Sequence, residues 1–200
     1  MTTLLIQNES TSLTVIIPGS ESMTTEQFYE FCQANRDLRI ERTANGDVIV
    51  MPPAFSDTGN RNGKILLQFG NWAYRDGTGE SFDSSAGFTL ANGAIRSPDL
   101  SWIKSERWNA LTEQQKASFA PICPDFVIEL RSQSDTLKGL QAKMQEYIAN
   151  GALLGWLIDR QNCKVYIYRP NCEVEVLDNP ETVSGEPELP GLMLQMAKIW

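Results

Sequence analysis

The sequence contains no histidine. A Ser-His-Asp triad, a Cys-His pair and a zinc or nuclease metal site with His ligands are therefore excluded. Acid–base or metal chemistry in this chain has to use carboxylates, Lys, Tyr or Cys side chains instead.

Cysteine is scarce and long apolar segments are missing. The four cysteines show no CxxC spacing, which predicts buried free thiols of a cytosolic protein. No apolar run reaches the roughly 18 residues of a transmembrane helix. The N-terminus is polar and lacks a basic region followed by an apolar stretch. The sequence thus predicts a cytoplasmic protein with neither a membrane span nor a signal peptide.

Positive charge is also in short supply. The chain has 17 Lys and Arg against 25 Asp and Glu, a net charge of −8, and a pI near 4.6. This balance argues against nucleic-acid binding over a wide surface, because phosphate contacts need clustered cations. A protein of this composition that did bind nucleic acid would have to concentrate positive charge locally, obtain it from bound Mg²⁺, or gain it by forming oligomers.

Local signals in the first half of the chain predict helices and hairpins. Thr24 followed by Gln27 is a capping-box pattern, and it predicts a helix through about Asn35. Asn45-Gly46 and Asn92-Gly93 each lie between short strand-like segments and predict two β-hairpins. Between the hairpins, a Gly- and Asn-rich stretch at 59–63 leads into a helix whose predicted apolar side carries Ile65, Leu66, Phe69 and Trp72.

The second half has a β-α-β pattern. A mostly apolar segment at 125–130 precedes a helix at 137–150, which ends at Gly151, and a strand at 154–158 follows. A last hairpin joins 164–168 to 173–177. With 42% hydrophobic residues, the whole predicts one α/β domain at 23–200, with a mixed sheet, helices on its faces and extra hairpins. Residues 1–22 are predicted to form a polar N-terminal arm.

Two carboxylates stand out within this pattern. Glu129 lies in an apolar strand, where a charge costs several kcal/mol unless it is paired or bound to metal. Asp99 follows a proline at the start of another strand. On neighbouring strands the two could share one hard cation, with phosphate oxygens and water as further ligands. An alternative is a surface Asp99 in a turn and a buried ion pair between Glu129 and Arg131.

The helix at 137–150 offers a cation for this pair. Its apolar stripe is expected to pack on the sheet, and Lys143 falls at the border of the stripe, beside Tyr147. A border lysine can place its ammonium near Glu129 while adding little to the core, although such a lysine is more often solvated. Lys138 and Glu146 are predicted on the solvated side.

An ordered series of short motifs extends along the chain. It comprises Glu41 and Gly46, Met51-Pro52-Pro53, Ser97-Pro98-Asp99, residues 124–132 with Ser134-Asp135, Lys143-x-x-x-Tyr147 with Gly151, residues 155–159, and Leu189-Pro190-Gly191. In these motifs the chain resembles the bacterial Uma-two family of restriction-endonuclease-like proteins, from about residue 25 to the end. The resemblance implies a PD-(D/E)XK nuclease fold, a Mg²⁺ or Mn²⁺ cofactor and DNA as substrate.

The resemblance also implies roles for individual residues. Asp99 and Glu129 would be the metal-binding carboxylates. Lys143 would be the catalytic lysine, placed on the helix like the glutamine of a Q-x-x-x-Y signature with Tyr147 after it. Arg131 stands where the motif's lysine is expected and could hold a phosphate, but it would be a poor base.

The same resemblance suggests accessory roles in the site for two further residues. Family members commonly have a histidine after the Met-Pro-Pro turn, where this chain has Asn62 or a neighbour. Glu41 matches a family glutamate that could bind a second ion, although a hairpin glutamate is more often simply solvated.

Three functional hypotheses remain open at this point. The first is metal-dependent hydrolysis of DNA phosphodiester bonds by activated water. The second is a catalytically silent relative that serves as a binding or assembly module, and the third is hydrolysis of another phosphate ester. Exposed edge strands and the aromatic residues Trp156, Tyr166, Tyr168 and Trp200 also predict a homodimer.

Overall fold

The structure is a computed structural model that describes residues 5–9, 12–16, 23–51 and 55–200. Its helices are α1 (Thr25–Ala34), α2 (Ser56–Asp76), α3 (Ser105–Asn109), α4 (Glu113–Lys116) and α5 (Leu137–Ala149). The rest of the predicted arm and Pro52-Pro53 lie outside the described residues. The strands are β1 (Leu5–Glu9), β2 (Ser12–Ile16), β3 (Arg39–Arg42), β4 (Val48–Met51), β5 (Gly79–Asp83), β6 (Phe88–Thr89), β7 (Ile95–Arg96), β8 (Leu100–Lys104), β9 (Phe126–Leu130), β10 (Leu154–Asp159), β11 (Lys164–Tyr168), β12 (Glu175–Asp178), β13 (Thr182–Ser184) and β14 (Met193–Gln195).

One six-stranded sheet is antiparallel and contains both predicted Asn-Gly hairpins. Its order is β1-β2-β4-β3-β7-β6. Arg39 pairs with Met51 across the first hairpin, and Phe88 pairs with Arg96 across the second. Gly46 and Gly93 adopt φ of 90° and 86°, a backbone conformation that glycine tolerates without steric cost. The capping box of α1 is also confirmed, because both of its hydrogen bonds form.

The other six-stranded sheet is mixed, as predicted. Its order is β12-β11-β10-β9-β8-β5, and only β9 and β10 run parallel. The connection between those two strands contains α5, which is the usual way to return the chain for a parallel pairing. All five residues of the central strand β9 are buried. This sheet positions the two carboxylates that the sequence singles out.

Helices cover both faces of the mixed sheet. On one face, Phe69 of α2 stacks on Phe126 with ring centroids 5.5 Å apart, and Trp156 completes that core. On the other face, Met144 and Tyr147 of α5 pack against Val127 and Leu157. The alternation of side chains along β9 therefore sends Val127 and Glu129 toward α5, and Phe126 and Ile128 toward α2.

The start and the apolar side of α2 differ from the prediction. The helix begins at Ser56, so the Gly- and Asn-rich stretch is helical and does not precede the helix. Gly59 and Gly63 face open space, and the buried side of the later turns stabilises the helix despite their low helix propensity. Leu66 is 38% exposed because it lies just beside the buried stripe of Ile65, Phe69 and Trp72.

Aromatic residues of the C-terminal half belong mainly to the core. Trp156 and Tyr168 are buried, and Trp200 packs against the core at its edge. Tyr166 is half-buried. Trp156 and Tyr168 thus offer no exposed aromatic surface, and the homodimer stays a prediction. Among the described residues, no helix has both the length and the apolar character of a membrane-crossing segment.

Candidate metal and nuclease site

Asp99 and Glu129 lie on adjacent strands of the mixed sheet. Leu100 of β8 pairs with Ile128 of β9, so Asp99, one residue before β8, comes opposite Glu129 in the same register. The backbone N–H of Leu130 donates to Oδ2 of Asp99 at 2.9 Å. Glu129 follows the face of the sheet that α5 covers, whereas Asp99, in the bend before β8, contacts Arg39 and Asn62 of α2. The alternative of a surface Asp99 is wrong, because only 13% of its side chain is exposed.

Two side chains of α5 contact Glu129. The ammonium of Lys143 lies 2.8 Å from Oε1 of Glu129, and the hydroxyl of Tyr147 donates to the same oxygen at 3.0 Å. The four-residue spacing places both side chains on one helix face, and the prediction that the Lys143 ammonium lies near Glu129 is confirmed. Glu129 is only 4% exposed. Burial, together with the nearby charges of Asp99 and Glu41, raises the pKa of Glu129 to about 7 despite Lys143.

Glu41 is a third buried carboxylate beside this pair. Its Oε1 lies 2.9 Å from the Lys143 ammonium and accepts the Ser97 N–H at 2.9 Å, and its Oε2 lies 3.2 Å from Arg96. Burial alone would raise the pKa of Glu41, but Lys143, Arg96 and the Ser97 amide lower it below its ordinary value. The expectation that Glu41 is simply solvated is therefore wrong.

Lys143 is consequently a bridge between two carboxylates. Burial alone would lower the pKa of its ammonium, but Glu129 and Glu41 raise it above the ordinary value. The side chain is 14% exposed and makes charge-assisted contacts with both glutamates. The sequence-based view of a border residue that adds little to stability does not hold, because Lys143 is the shared counterion of two buried charges.

Of the two residues that the helical projection places on the solvated side of α5, Glu146 is less exposed than predicted. Glu146 lies 2.6 Å from Nε of Arg96 and accepts a hydrogen bond from the Asn92 side chain at 3.0 Å. The second hairpin brings these residues against α5, a long-range contact that a helical projection cannot include. Glu146 is thus half-buried and paired, whereas Lys138 is exposed as predicted.

Asp99 has two side-chain neighbours of its own. Arg39 approaches its Oδ1 at 3.5 Å and donates to the Ser97 carbonyl at 3.1 Å. Asn62, on α2, donates to the same Oδ1 at 3.3 Å. Sequence reasoning singled out Asn62 but missed Arg39 and Arg96. The only signal for Arg39 is its i, i+2 spacing from Glu41, which places both on one face of β3.

Arg131 lies apart from Glu129. Its guanidinium contacts both oxygens of Asp159 at 3.1 and 3.0 Å, and its Nε donates to the Asp135 carbonyl. Asp159 is fully buried at the end of β10, next to Arg131 across the parallel pair. The alternative of a buried pair between Glu129 and Arg131 is therefore wrong.

The donors around Asp99 and Glu129 fit a hard divalent cation. Two carboxylates and an amide supply the oxygen ligands that Mg²⁺ and Mn²⁺ prefer. Oδ1 of Asn62 is buried and has no hydrogen-bond partner within residues 23–51 and 55–200, so it is an unsatisfied acceptor on the residue whose Nδ2 donates to Asp99. No cluster of three or more Cys, Asp or Glu ligands occurs in the described part of the chain, so water or substrate would have to complete the shell.

Comparison with known families identifies the family of the chain. The family model Uma2, described as "Putative restriction endonuclease", matches residues 25–197. The chain belongs to the Uma2 family. This is the Uma-two family that the sequence motifs indicate, and the restriction-endonuclease-like fold class is confirmed with it.

A solved structure agrees with the fold of this Uma2 protein. It is a "putative nuclease belonging to DUF820" from Anabaena variabilis ATCC 29413, with a TM-score of 0.68 and 21% sequence identity. The match covers 80% of this chain and 88% of that one. At this identity the likeness concerns the fold. No curated protein matches the sequence.

Proposed function

We propose that this protein is a metal-dependent nuclease that hydrolyses DNA phosphodiester bonds with an activated water. The observation that carries the proposal is the pair of Asp99, one residue before β8, and Glu129, opposite it on β9, with Lys143 held on Glu129. Membership in a family described as restriction endonucleases supports it. The fold alone would not decide the activity, since many functions share one fold.

Asp99 and Glu129 would hold Mg²⁺ or Mn²⁺, with Oδ1 of Asn62 as an accessory ligand. When bound, the ion lowers the pKa of a coordinated water and offsets the charge of the scissile phosphate. Leu130 fixes one oxygen of Asp99 through its backbone N–H, and Tyr147 fixes one oxygen of Glu129. The two carboxylates are thus oriented before any cation or substrate arrives.

Lys143 would act as a charged group and not as a base. Its raised pKa keeps the ammonium protonated at neutral pH, so it cannot accept a proton from water. The ammonium can orient Glu129 and add positive charge where negative charge develops on the phosphate. Glu41 holds Lys143 from its other side, which makes Glu41 a positioning residue in this proposal.

A second candidate is the catalytically silent relative that binds a partner without cleaving it. The ion pairs of Lys143 with both glutamates and the net charge of −8 favour this candidate. It predicts that nucleic acid is never cleaved, whatever metal is supplied.

Calorimetric titration of Mn²⁺ and cleavage of DNA, supplied both as plasmid and as a single-stranded circle, test the two candidates together. The wild type should bind the cation and cleave at least one of the two DNA forms, Asp99→Asn and Glu129→Gln should do neither, and Lys138→Ala should behave as wild type. Binding without cleavage of either DNA form would favour the silent candidate. The absence of any difference between wild type and Asp99→Asn in the calorimeter would overturn the metal site itself.

A further inference from the structure

A groove of mixed polar and apolar lining opens between α1, β3 and the turn after β5, and two of its lining residues, Arg39 and Ser97, lie close to Asp99. Its volume is about 730 Å³, within the range of ligand-binding clefts. Arg39 and Ser97 line the end of the groove nearest Asp99, because Arg39 contacts the Ser97 carbonyl as well as Asp99. Arg36, Ser85 and Phe119 line the groove farther away.

A second cavity continues from the first. It has a volume of about 330 Å³ and shares Gln33, Ser85 and Phe119 with the larger one. Its far end is lined by Trp108 and Lys116, among others. The two cavities adjoin at the shared residues, and their outer ends lie near Asp99 and at α4. We name this pair of cavities the arginine–aromatic groove and define it by Arg36, Arg39, Ser85, Trp108, Lys116 and Phe119.

The charge of the arginine–aromatic groove is opposite to that of the whole protein. Its described lining includes three cations, Arg36, Arg39 and Lys116, and one carboxylate, Asp37, which gives 3 − 1 = +2. The chain as a whole carries −8. Lys116 is paired with Glu113 and Arg39 with Asp99, whereas Arg36 forms no ion pair among the described residues. An anionic polymer therefore meets less repulsion along this groove than over the acidic protein as a whole.

Arg39 has hydrogen-bonding capacity to spare at the end nearest Asp99. Its Nη2 reaches the Ser97 carbonyl and, at 3.5 Å, Asp99, whereas its Nη1 has no hydrogen-bond partner among the residues that the structure describes. A guanidinium carries five N–H donors in a fork that matches phosphate oxygens. Arg39 is thus placed to hold a phosphate next to the carboxylate pair.

The aromatic side chains of the groove are held in fixed positions. Phe119 is half-buried, and its ring contacts those of Phe28 and Tyr29 at centroid distances of 5.7 and 5.8 Å. A Cβ at Gly87 would come within 2.5 Å of the Phe119 ring, so glycine is needed beneath it. Trp108 is half-buried beside the Lys116 ammonium, which lies 5.7 Å from the indole. Rings anchored in this way can stack with exposed bases.

We propose that the arginine–aromatic groove binds a single strand of nucleic acid and leads one of its phosphodiesters to Asp99 and Glu129. Cations along a groove with interspersed aromatic rings are the combination that single strands require. A duplex keeps its bases inside and needs cations over a wide surface, which this acidic chain lacks. The delivery of a phosphodiester to Asp99 and Glu129 rests on the proposed nuclease function, whereas the binding of the strand in the groove does not.

Fluorescence anisotropy in EDTA measures that binding without any cleavage. The probes are a labelled oligothymidylate and a labelled oligouridylate of about twelve nucleotides, and a duplex of equal length. The wild type should bind at least one single strand more tightly than the duplex. Arg36→Gln and Arg39→Gln should each reduce the slope of log affinity against log salt by about 0.7. Phe119→Leu should weaken binding about fivefold or more.

Matched controls make the result specific to the groove. Lys64→Gln and Lys138→Gln remove an exposed cation elsewhere and should leave the affinity unchanged. Arg36 is exposed, so its replacement keeps the test valid even if Phe119→Leu reduces stability. Equal losses in the groove and control variants, or tighter binding of the duplex, would overturn the proposal. Single-strand binding lost in the groove variants, with no cleavage at any metal concentration, would support the groove and refute the nuclease function.

Discussion

The ammonium of Lys143 lies midway between two buried carboxylates, 2.8 Å from Oε1 of Glu129 and 2.9 Å from Oε1 of Glu41. The two glutamates belong to different sheets, β9 in the mixed sheet and β3 in the antiparallel one. Lys143 therefore joins the two sheets electrostatically at the place where the metal is proposed to bind.

Replacing Lys143 with alanine should affect both activity and stability. We expect Lys143→Ala to abolish Mn²⁺-dependent nicking and to lower the free energy of unfolding by about 3 kcal/mol, because two buried carboxylates lose their shared counterion. Plasmid nicking and urea denaturation of the same preparation measure the two effects. Lys138→Ala, on the exposed side of α5, is the control. Nicking by Lys143→Ala at the rate of Lys138→Ala would remove the lysine from the mechanism.

Neutralising Glu129 should stabilise the metal-free protein. The pKa of Glu129 is raised by burial to about 7, so its contribution to stability is present below the pKa of the unfolded chain and is lost as the pH rises through about 7. The uncharged Glu129→Gln variant avoids this loss. We expect its unfolding free energy in EDTA to exceed that of the wild type increasingly between about pH 5 and 7, and by a nearly constant amount above about pH 8. A difference that stays constant from about pH 5 to 7 would contradict the shifted pKa.

The pair of Arg131 and Asp159 is expected to be structural. Arg131→Ala should cost about 3 kcal/mol or more of unfolding free energy, because Asp159 is fully buried and would lose its bidentate partner. The double variant Arg131→Met/Asp159→Leu should recover most of that loss. Metal binding per folded molecule, measured by calorimetry, should match the wild type in both variants. A selective loss of metal binding at unchanged stability would place Arg131 in the site after all.

The four cysteines should differ sharply in reactivity. Burial raises the pKa of the Cys123 thiol to about 12 and that of Cys32 to about 11, whereas Cys172 is exposed. Since the thiolate is the reactive form, a disulfide reagent at pH 8 should modify Cys172 first and Cys123 only after unfolding. Cys172→Ser should remove the fastest phase. Peptide mapping that finds Cys123 among the first modified sites would contradict its burial.

The sequence predicts those parts of the fold and site that depend on local order. The capping box, both Asn-Gly hairpins and the position of Lys143 on α5 follow from spacing within a few residues. The apolar run around Glu129 also predicts its burial, and strand alternation places it on the same face as Val127 without any tertiary information.

Contacts between distant segments account for the rest. Arg39 reaches Asp99 over 60 residues of sequence, and Arg96 reaches Glu146 over 50. The predicted pairing of Arg131 with Glu129 is wrong for the same reason. Its nearest carboxylate in the sequence is Glu129, but the parallel strand β10 brings Asp159 beside it. Sequence periodicity cannot predict that Arg131 pairs with Asp159, because this pairing depends on how β9 and β10 are aligned.

The hydrogen bond from the Leu130 amide to Asp99 has a consequence for how the site could change over time. This donor belongs to the main chain, so every residue except proline would retain it at position 130. Mutational drift can therefore replace the surrounding side chains one by one while the aspartate keeps its place beside β9. If the proposed nuclease function holds, a descendant without Lys143 would lose cleavage but would still present its two acidic groups in register, so that restoring one nearby cation could restore the activity.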